Sequence, residues 1–350
     1  MSKLRVLVAE DSPTARALLL EMLGRDPRIE VVGTATNGAD AVRLTEELAP
    51  DIVTMDVHMP GMDGLQATRE IMTRNPTPIL IVSSAARGDA ALSLTATEAG
   101  ALMVVPKPEG PSAPDFEQQR EYLVRMVHAM AGVRLVRRWA PRTRTPVRPP
   151  AKPRSSAPQR PRVVAIAAST GGPAALRRIL QMLPGSFPLP IFIVQHIAKG
   201  FAPGLVDWLA LGSGPRVRIA RAGETAEPGV AYVAPDERHL GLRPDLVIDL
   251  STADPIGQFR PSANHLFRSV QQAVGGAAIG VMLTGMGDDG VTGLSDLRQA
   301  GAFILAQDEP TSIVFGMARE AIRAGLVDEV LPIDDIGPRL IQLVEERAYG

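Results

Sequence analysis

The sequence predicts a two-domain α/β protein, with two parallel-sheet domains joined by a proline- and arginine-rich tether. Short apolar runs alternate with stretches of helical length in both halves of the chain, the pattern of parallel strands with helical crossovers. At 350 residues the chain exceeds the roughly 100–200 residues of a typical domain. Between the halves, Arg137 to Arg162 holds seven prolines, eight arginines, one lysine and no acid, a composition that stays extended and solvated. The expected boundaries are therefore 1–136 for the first domain, 137–162 for the linker and 163–350 for the second domain.

In the first domain the strands are read at 4–9 (LRVLVA), 31–35 (VVGTA), 52–55 (IVTM), 79–82 (ILIV) and 102–105 (LMVV). The first helix has an explicit start in Ser12 followed by Pro13, a capping hydroxyl before the position where proline suits a helix. Polar residues sit at the carboxyl ends of the strands: Glu10 and Asp11 after the first, Asp56 after the third, Ser83 and Ser84 after the fourth, and Lys107 after the fifth. In an open parallel sheet those ends converge on the ligand crevice. Three carboxylates sharing it repel one another, and a hard divalent cation such as Mg²⁺ relieves the repulsion. A lysine and a small hydroxyl opposite suit an incoming phosphoryl group.

The second domain resumes with strands at 163–167 (VVAIA), 191–194 (IFIV), 280–284 (GVMLT) and 303–306 (FILA), with helical stretches between. The first runs into Ser169, Thr170, Gly171, Gly172 and Pro173. A serine at a strand-to-helix turn followed by glycines reads as a nucleophile elbow, whose hydroxyl is exposed beside helix N-terminal amides, or as a phosphate-binding loop. Serine needs a base, and the base an orienting acid. Of the five histidines, His58 and His128 lie in the first domain, His239 reads as a loop residue and His265 opens a turn into a helix. His196 alone directly follows a strand. The acid candidates are Asp288 and Asp289, after the strand at 280–284.

Composition narrows the function classes. With no cysteine, there is no disulfide framework, thiolate zinc site, iron–sulfur cluster or cysteine nucleophile. The net charge of −1 argues against a nucleic-acid partner; it divides into −5 on each domain and +9 on the linker, whose arginines without interleaved aromatics read as a solvated spacer rather than an RNA-binding segment. The N-terminus lacks the apolar core of a signal peptide and no run is long enough to span a bilayer, so a cytoplasmic protein without membrane insertion is expected.

Residues 1 to about 125 resemble the receiver domain of two-component response regulators through Glu10–Asp11, the run DVHMPGMDG from Asp56 to Gly64, and Lys107–Pro108. The resemblance implies a doubly wound, flavodoxin-like fold. It implies that Asp56 accepts a phosphoryl group, that Glu10 and Asp11 together with Asp56 hold Mg²⁺, and that Lys107 pairs with the phosphate. Ser83 is the switch hydroxyl in this reading, with Ser84 as the alternative.

Residues 163–347 are similar to the catalytic domain of the chemotaxis protein-glutamate methylesterases of the CheB family, through ASTGGP, VQHIAKGFAPGLVDWL, APDERHL, FRPSANHLFRSV, VMLTGMGDDGVTGL and AQDEPTSIVFGMAREAI. The resemblance implies Ser169 as nucleophile, His196 as base, Asp289 as orienting acid and the amides near Thr170 and Met286 as oxyanion donors, with no cofactor in this domain. Ala167 stands where the family commonly has glycine and Asp288 where asparagine is usual. The implied activity is phosphorylation-activated hydrolysis of glutamate methyl esters, with glutamine deamidation, on methyl-accepting chemotaxis receptors, the phosphodonor being a chemotaxis histidine kinase. Phe259, Arg260 and Phe267 are expected either to dock the acidic receptor helix or to face the core at a helix start. The competing reading is a non-catalytic response regulator with a partner-binding effector domain.

Overall fold

The structure, a computed structural model, describes residues 3–84, 90–131, 159–197, 199–212 and 214–346. The linker expected at 137–162 lies, up to residue 158, outside the described residues. The chain divides into two compact units, Met1–Arg138 and Trp139–Gly350.

In the first unit, β1 (Leu4–Ala9), β2 (Ile29–Ala35), β3 (Ile52–Met55), β4 (Ile79–Ser83) and β5 (Met103–Pro106) form a parallel sheet in the order β2-β1-β3-β4-β5. The central strands β3 and β4 are buried on both faces, as an all-parallel sheet requires, and Leu7, Val53, Ile79 and Ile81 are fully enclosed. The covering helices are α1 (Pro13–Gly24), α2 (Gly38–Leu48), α3 (Gly64–Arg74), α4 (Ala90–Ala99) and α5 (Phe116–Ala131). Their starts are written locally. The Ser12 hydroxyl accepts from the Ala15 amide, Asn37 caps α2, and Asp63 with Gln66 closes a reciprocal capping box on α3. Strand order reverses across β1, so the crevice opens between the carboxyl ends of β1 and β3.

In the second unit, β6 (Val163–Ala168), β7 (Ile191–Gln195), β8 (Arg216–Ile219), β9 (Val230–Val233), β12 (Ala278–Met282), β13 (Phe303–Gln307) and β14 (Glu329–Leu331) make a seven-stranded parallel sheet ordered β14-β13-β12-β6-β7-β9-β8. A separate antiparallel hairpin is made of β10 (His239–Arg243) and β11 (Val247–Ser251). The helices are α6 (Gly172–Met182), α7 (Ala202–Leu209), α8 (Ala263–Val274), α9 (Val291–Gln299), α10 (Met317–Arg323) and α11 (Ile333–Glu346). From β6 the chain winds outward one way through β7, then returns to lay β12 on the other side of β6. The reversal again defines the crevice, here between β6 and β12.

The segment between β7 and β12 departs from the expected alternation. It holds the interior strand β9, the edge strand β8 and the hairpin, and the opposite sheet edge carries the three-residue β14. His239, expected in a loop, begins β10 and is fully buried. Phe267, a candidate for receptor docking, is also fully buried and packs α8 into the core beside Leu266 and Val270. Its aromatic face is therefore part of the fold, and it offers no docking surface.

Candidate active site

β6 delivers Ser169 to the reversal point, and Gly171, at φ 78, turns the chain so that α6 starts at Gly172. Ser169 is half-buried. Its amide donates to the Thr284 carbonyl at 3.0 Å, which ties the turn to the loop after β12. On the other side the Gln195 carboxamide donates to the Ser169 carbonyl at 2.8 Å and to the His196 carbonyl at 2.9 Å, locking the β6 and β7 ends together. The Thr284 hydroxyl donates to the Thr170 carbonyl at 2.9 Å. Among the described residues, neither the Thr170 amide nor the Met286 amide is engaged by a backbone or side-chain acceptor.

Gly285 explains how the loop after β12 comes so close. A Cβ there would lie 2.7 Å from Ser169 Cβ and 2.5 Å from Met317 Sδ, both inside contact distance. Gly285→Ala is expected to displace the serine turn and lower turnover by about a hundredfold, since misplacement of reacting groups by an ångström costs that much. Turnover measured beside a thermal melt checks this: the rate should fall while the protein still unfolds cooperatively.

The structure joins His196 to Asp289. Their Nε2 and Oδ2 atoms are 2.8 Å apart, and both side chains are nearly enclosed. Asp288 points to solvent and makes no such contact. Asp289 also accepts from Ser262 Oγ (2.7 Å), the Ala263 amide (2.7 Å) and Asn264 Nδ2 (2.9 Å). These donors are the first turn of α8, so the carboxylate sits at the positive end of a helix. Burial pushes its acidity down, but the hydrogen bonds from His196, Ser262 and Ala263 outweigh that and hold its pKa below the ordinary aspartate value. The imidazole is further fixed by Phe259, which stacks on it at a centroid distance of 4.1 Å and 10° between planes. His196 Nδ1 is buried without a partner, and the Ser169 hydroxyl makes no hydrogen bond to the ring in this structure.

Sequence reasoning missed Gln195, Ser262 and Asn264. Ser262 carried a legible signal as a helix cap, but its contact with a carboxylate 27 positions away did not show in the pattern. Of the residues expected either to dock the receptor helix or to face the core, Phe259 and Arg260 are half-buried: Phe259 stacks on the imidazole, and the Arg260 guanidinium bonds Glu237 at 3.3 Å.

In the first unit, β1 and β3 bring Glu10, Asp11 and Asp56 together, with one ligand oxygen from each lying within 4.8 Å of the others. Lys107 reaches in from the end of β5, its Nζ 2.9 Å from Asp56 Oδ2 and 2.8 Å from Glu10 Oε2. Burial raises the pKa of Glu10, which is fully enclosed. Burial also opposes the Lys107 charge, yet hydrogen bonds to Glu10 and Asp56 carry its pKa above the ordinary lysine value. Ser83 is fully buried and Ser84 exposed. Gly64 lets the loop fold behind the acceptor: a Cβ there would fall 1.9 Å from the Asp56 carbonyl oxygen. Hard oxygen donors so clustered fit a small divalent cation.

The fold and the two crevices fit a class of protein, a response regulator whose receiver unit is followed in the chain by an α/β enzyme unit. The chain belongs to the CheB methylesterase family: residues 164–340 match the CheB methylesterase domain and residues 6–113 the response regulator receiver domain. It is 51% identical to protein-glutamate methylesterase/protein-glutamine glutaminase 4 of Myxococcus xanthus, over 96% of each chain. Identity is 52% to protein-glutamate methylesterase/protein-glutamine glutaminase 3 of Anaeromyxobacter dehalogenans, over 96% of this chain and 98% of that one. Among solved structures, the CheB methylesterase catalytic domain of Thermotoga maritima aligns with a TM-score of 0.52 at 38% identity, covering 53% of this chain and 99% of its own. No helix among the described residues is long and apolar enough to cross a membrane.

Proposed function

We propose that the second unit is a serine esterase that removes methyl groups from γ-glutamyl methyl esters on methyl-accepting chemotaxis receptors, acting in the cytoplasm. The observation that carries this reading is the imidazole of His196, held through Nε2 by a buried carboxylate while Nδ1 stays unpartnered, on a residue that Gln195 ties to the Ser169 turn. Ser169 Oγ attacks the ester carbonyl and its proton passes to His196 Nδ1. The negative oxygen that forms is met by the unengaged amides of Thr170 and Met286 at the start of α6 and in the facing loop. The tetrahedral adduct collapses, the C–O bond to the methoxy group breaks, and the imidazolium returns the proton so that methanol leaves. Water then gives a proton to His196 and attacks the acyl-serine, freeing the glutamate side chain and Ser169. With a glutamine side chain the same steps release ammonia. Asp289 keeps the imidazole oriented and stabilises its charged form.

The first unit gates this chemistry. Asp56 accepts a phosphoryl group from a chemotaxis histidine kinase, Lys107 pairs with the phosphate and Ser83 is the switch hydroxyl. Glu10, Asp11 and Asp56 would hold Mg²⁺, which supplies positive charge to a pocket that gains negative charge on phosphorylation. Lys107 already spans Glu10 and Asp56, so its ammonium is poised to follow the new charge.

Methanol release from methylated receptor, with and without a small phosphodonor, tests the reading. The rate should rise with the donor. A receiver that restrains the esterase requires only a modest shift between two states to change the rate many-fold. The fragment from Val163 to Gly350 should therefore outpace the unphosphorylated whole chain, and equal rates would exclude restraint.

A further inference from the structure

Behind Asp289 lies a second buried histidine that the proposed chemistry does not use. His239 heads β10, is 0% exposed, and stacks on His265 of α8 at a centroid distance of 4.8 Å. Its two ring nitrogens face groups of fixed polarity. Nδ1 lies 3.2 Å from the backbone amide of Ser262, which can only donate, and Nε2 lies 3.1 Å from the Asp254 carbonyl, which can only accept. Both contacts are satisfied at once by a single form, the neutral ring with its proton on Nε2.

Ser262 is the cap of α8 and is itself fully buried. Its amide is spent on His239 Nδ1 and its hydroxyl is donated to Asp289 Oδ1 at 2.7 Å. The other oxygen of Asp289 meets His196 Nε2. An unbroken chain of hydrogen bonds thus runs from His239 through Ser262 and Asp289 to His196. The amide of Ser262 has no water to turn to, so loss of the Nδ1 acceptor leaves a buried donor unpaired and frees the capping residue to shift.

We propose that His239 is a positioning residue for the esterase: its neutral Nδ1 fixes Ser262, and Ser262 fixes the rotation of the Asp289 carboxylate against His196. The inference rests on the triad assigned above. It assigns to the motif APDERHL a task distinct from substrate contact, since His239 is enclosed and touches neither Ser169 nor the imidazole of His196.

The chemistry separates the two halves of the His239 ring. Asparagine can place a side-chain oxygen where Nδ1 stands and accept from Ser262, whereas glutamine reaches the Asp254 carbonyl in place of Nε2 and offers Ser262 nothing in that position. In the phosphorylated full-length protein, His239→Asn should keep kcat for methanol release within about threefold. His239→Gln should lower kcat by about ten- to a hundredfold with KM unchanged, the size of one misplaced hydrogen bond to a charged group. The low-field proton resonance of the His196–Asp289 hydrogen bond should persist in the asparagine variant and broaden in the glutamine variant. Equal kcat in the two variants, whether both normal or both impaired, would overturn the proposal. Asp289→Asn, measured alongside, separates the causes. If it leaves kcat intact, the triad assignment fails. If it lowers kcat and the two His239 variants do not differ, only the role of His239 fails.

Discussion

Ser169→Ala is expected to reduce methanol release by about 10⁴- to 10⁶-fold, and His196→Ala by a similar factor, because members of a nucleophile–base unit are not additive and losing one loses the mechanism. The fold should survive either change. Ser169 is half-buried at a turn whose contacts run through its backbone amide and carbonyl, and these alanine keeps. His196 is braced by Phe259 on one face, and its removal opens a small space beside a residue that is already partly exposed. Asp289→Asn should cost less, about 10³- to 10⁴-fold, since the amide keeps the shape but presents the wrong polarity to the imidazole. Asp288→Asn should be nearly silent. The neighbouring carboxylates differ in one physical respect: Asp289 receives its hydrogen bonds at the N-terminus of α8, while Asp288 faces water. A severe Asp288→Asn beside a mild Asp289→Asn, read from methanol release, would reverse the assignment.

The second large effect is expected in the receiver. Labelling of Asp56 by a small phosphodonor should be lost in EDTA and in Asp56→Asn. The pocket already gathers three carboxylates, and one of them, Glu10, is fully enclosed. Adding a phosphoryl group to that cluster without a dication would place like charges together in a poorly solvated site. Glu10→Ala should weaken metal binding and so reduce labelling at the first step. Lys107→Ala should leave Asp56 open to labelling while removing the stimulation of methanol release, because its ammonium reports the charge on Asp56 rather than holding the ion. Undiminished labelling of Asp56 in EDTA would mean that Glu10 and Asp11 serve only the local fold.

Much of this was legible in the sequence, and the reason is the parallel sheet itself. Strands buried on both faces must be apolar throughout, so LRVLVA, IVTM, ILIV, VVAIA and IFIV stand out as runs, and the polar residues that end them are placed at the crevice by the fold class alone. Strands at the sheet edge escaped for the same reason. Arg216–Ile219 alternates with arginine because its flank meets solvent, and Glu329–Leu331 is too short to register. His239 was misread as a loop residue because the motif APDERHL is polar up to the residue where the strand begins, and burial of that ring depends on α8 packing over it. Strand order was also hidden. Nothing in the runs says that β12 returns to lie beside β6, yet that pairing is what brings Asp289 across to His196 and Gly285 against Ser169. Phe267 sits in a run of mixed polarity, FRPSANHLFRSV, and only the helical face it shares with Leu266 and Val270 turns it to the core.

In the proposed mechanism Ser169 is an activated nucleophile. Treatment of the full-length protein with a fluorophosphonate probe, followed by mass-spectrometric mapping of the label, tests it without any assumption about the receptor. A single labelled position is expected at Ser169, with labelling suppressed in His196→Ala. An unlabelled protein, or a label on another serine that persists in Ser169→Ala, would contradict it.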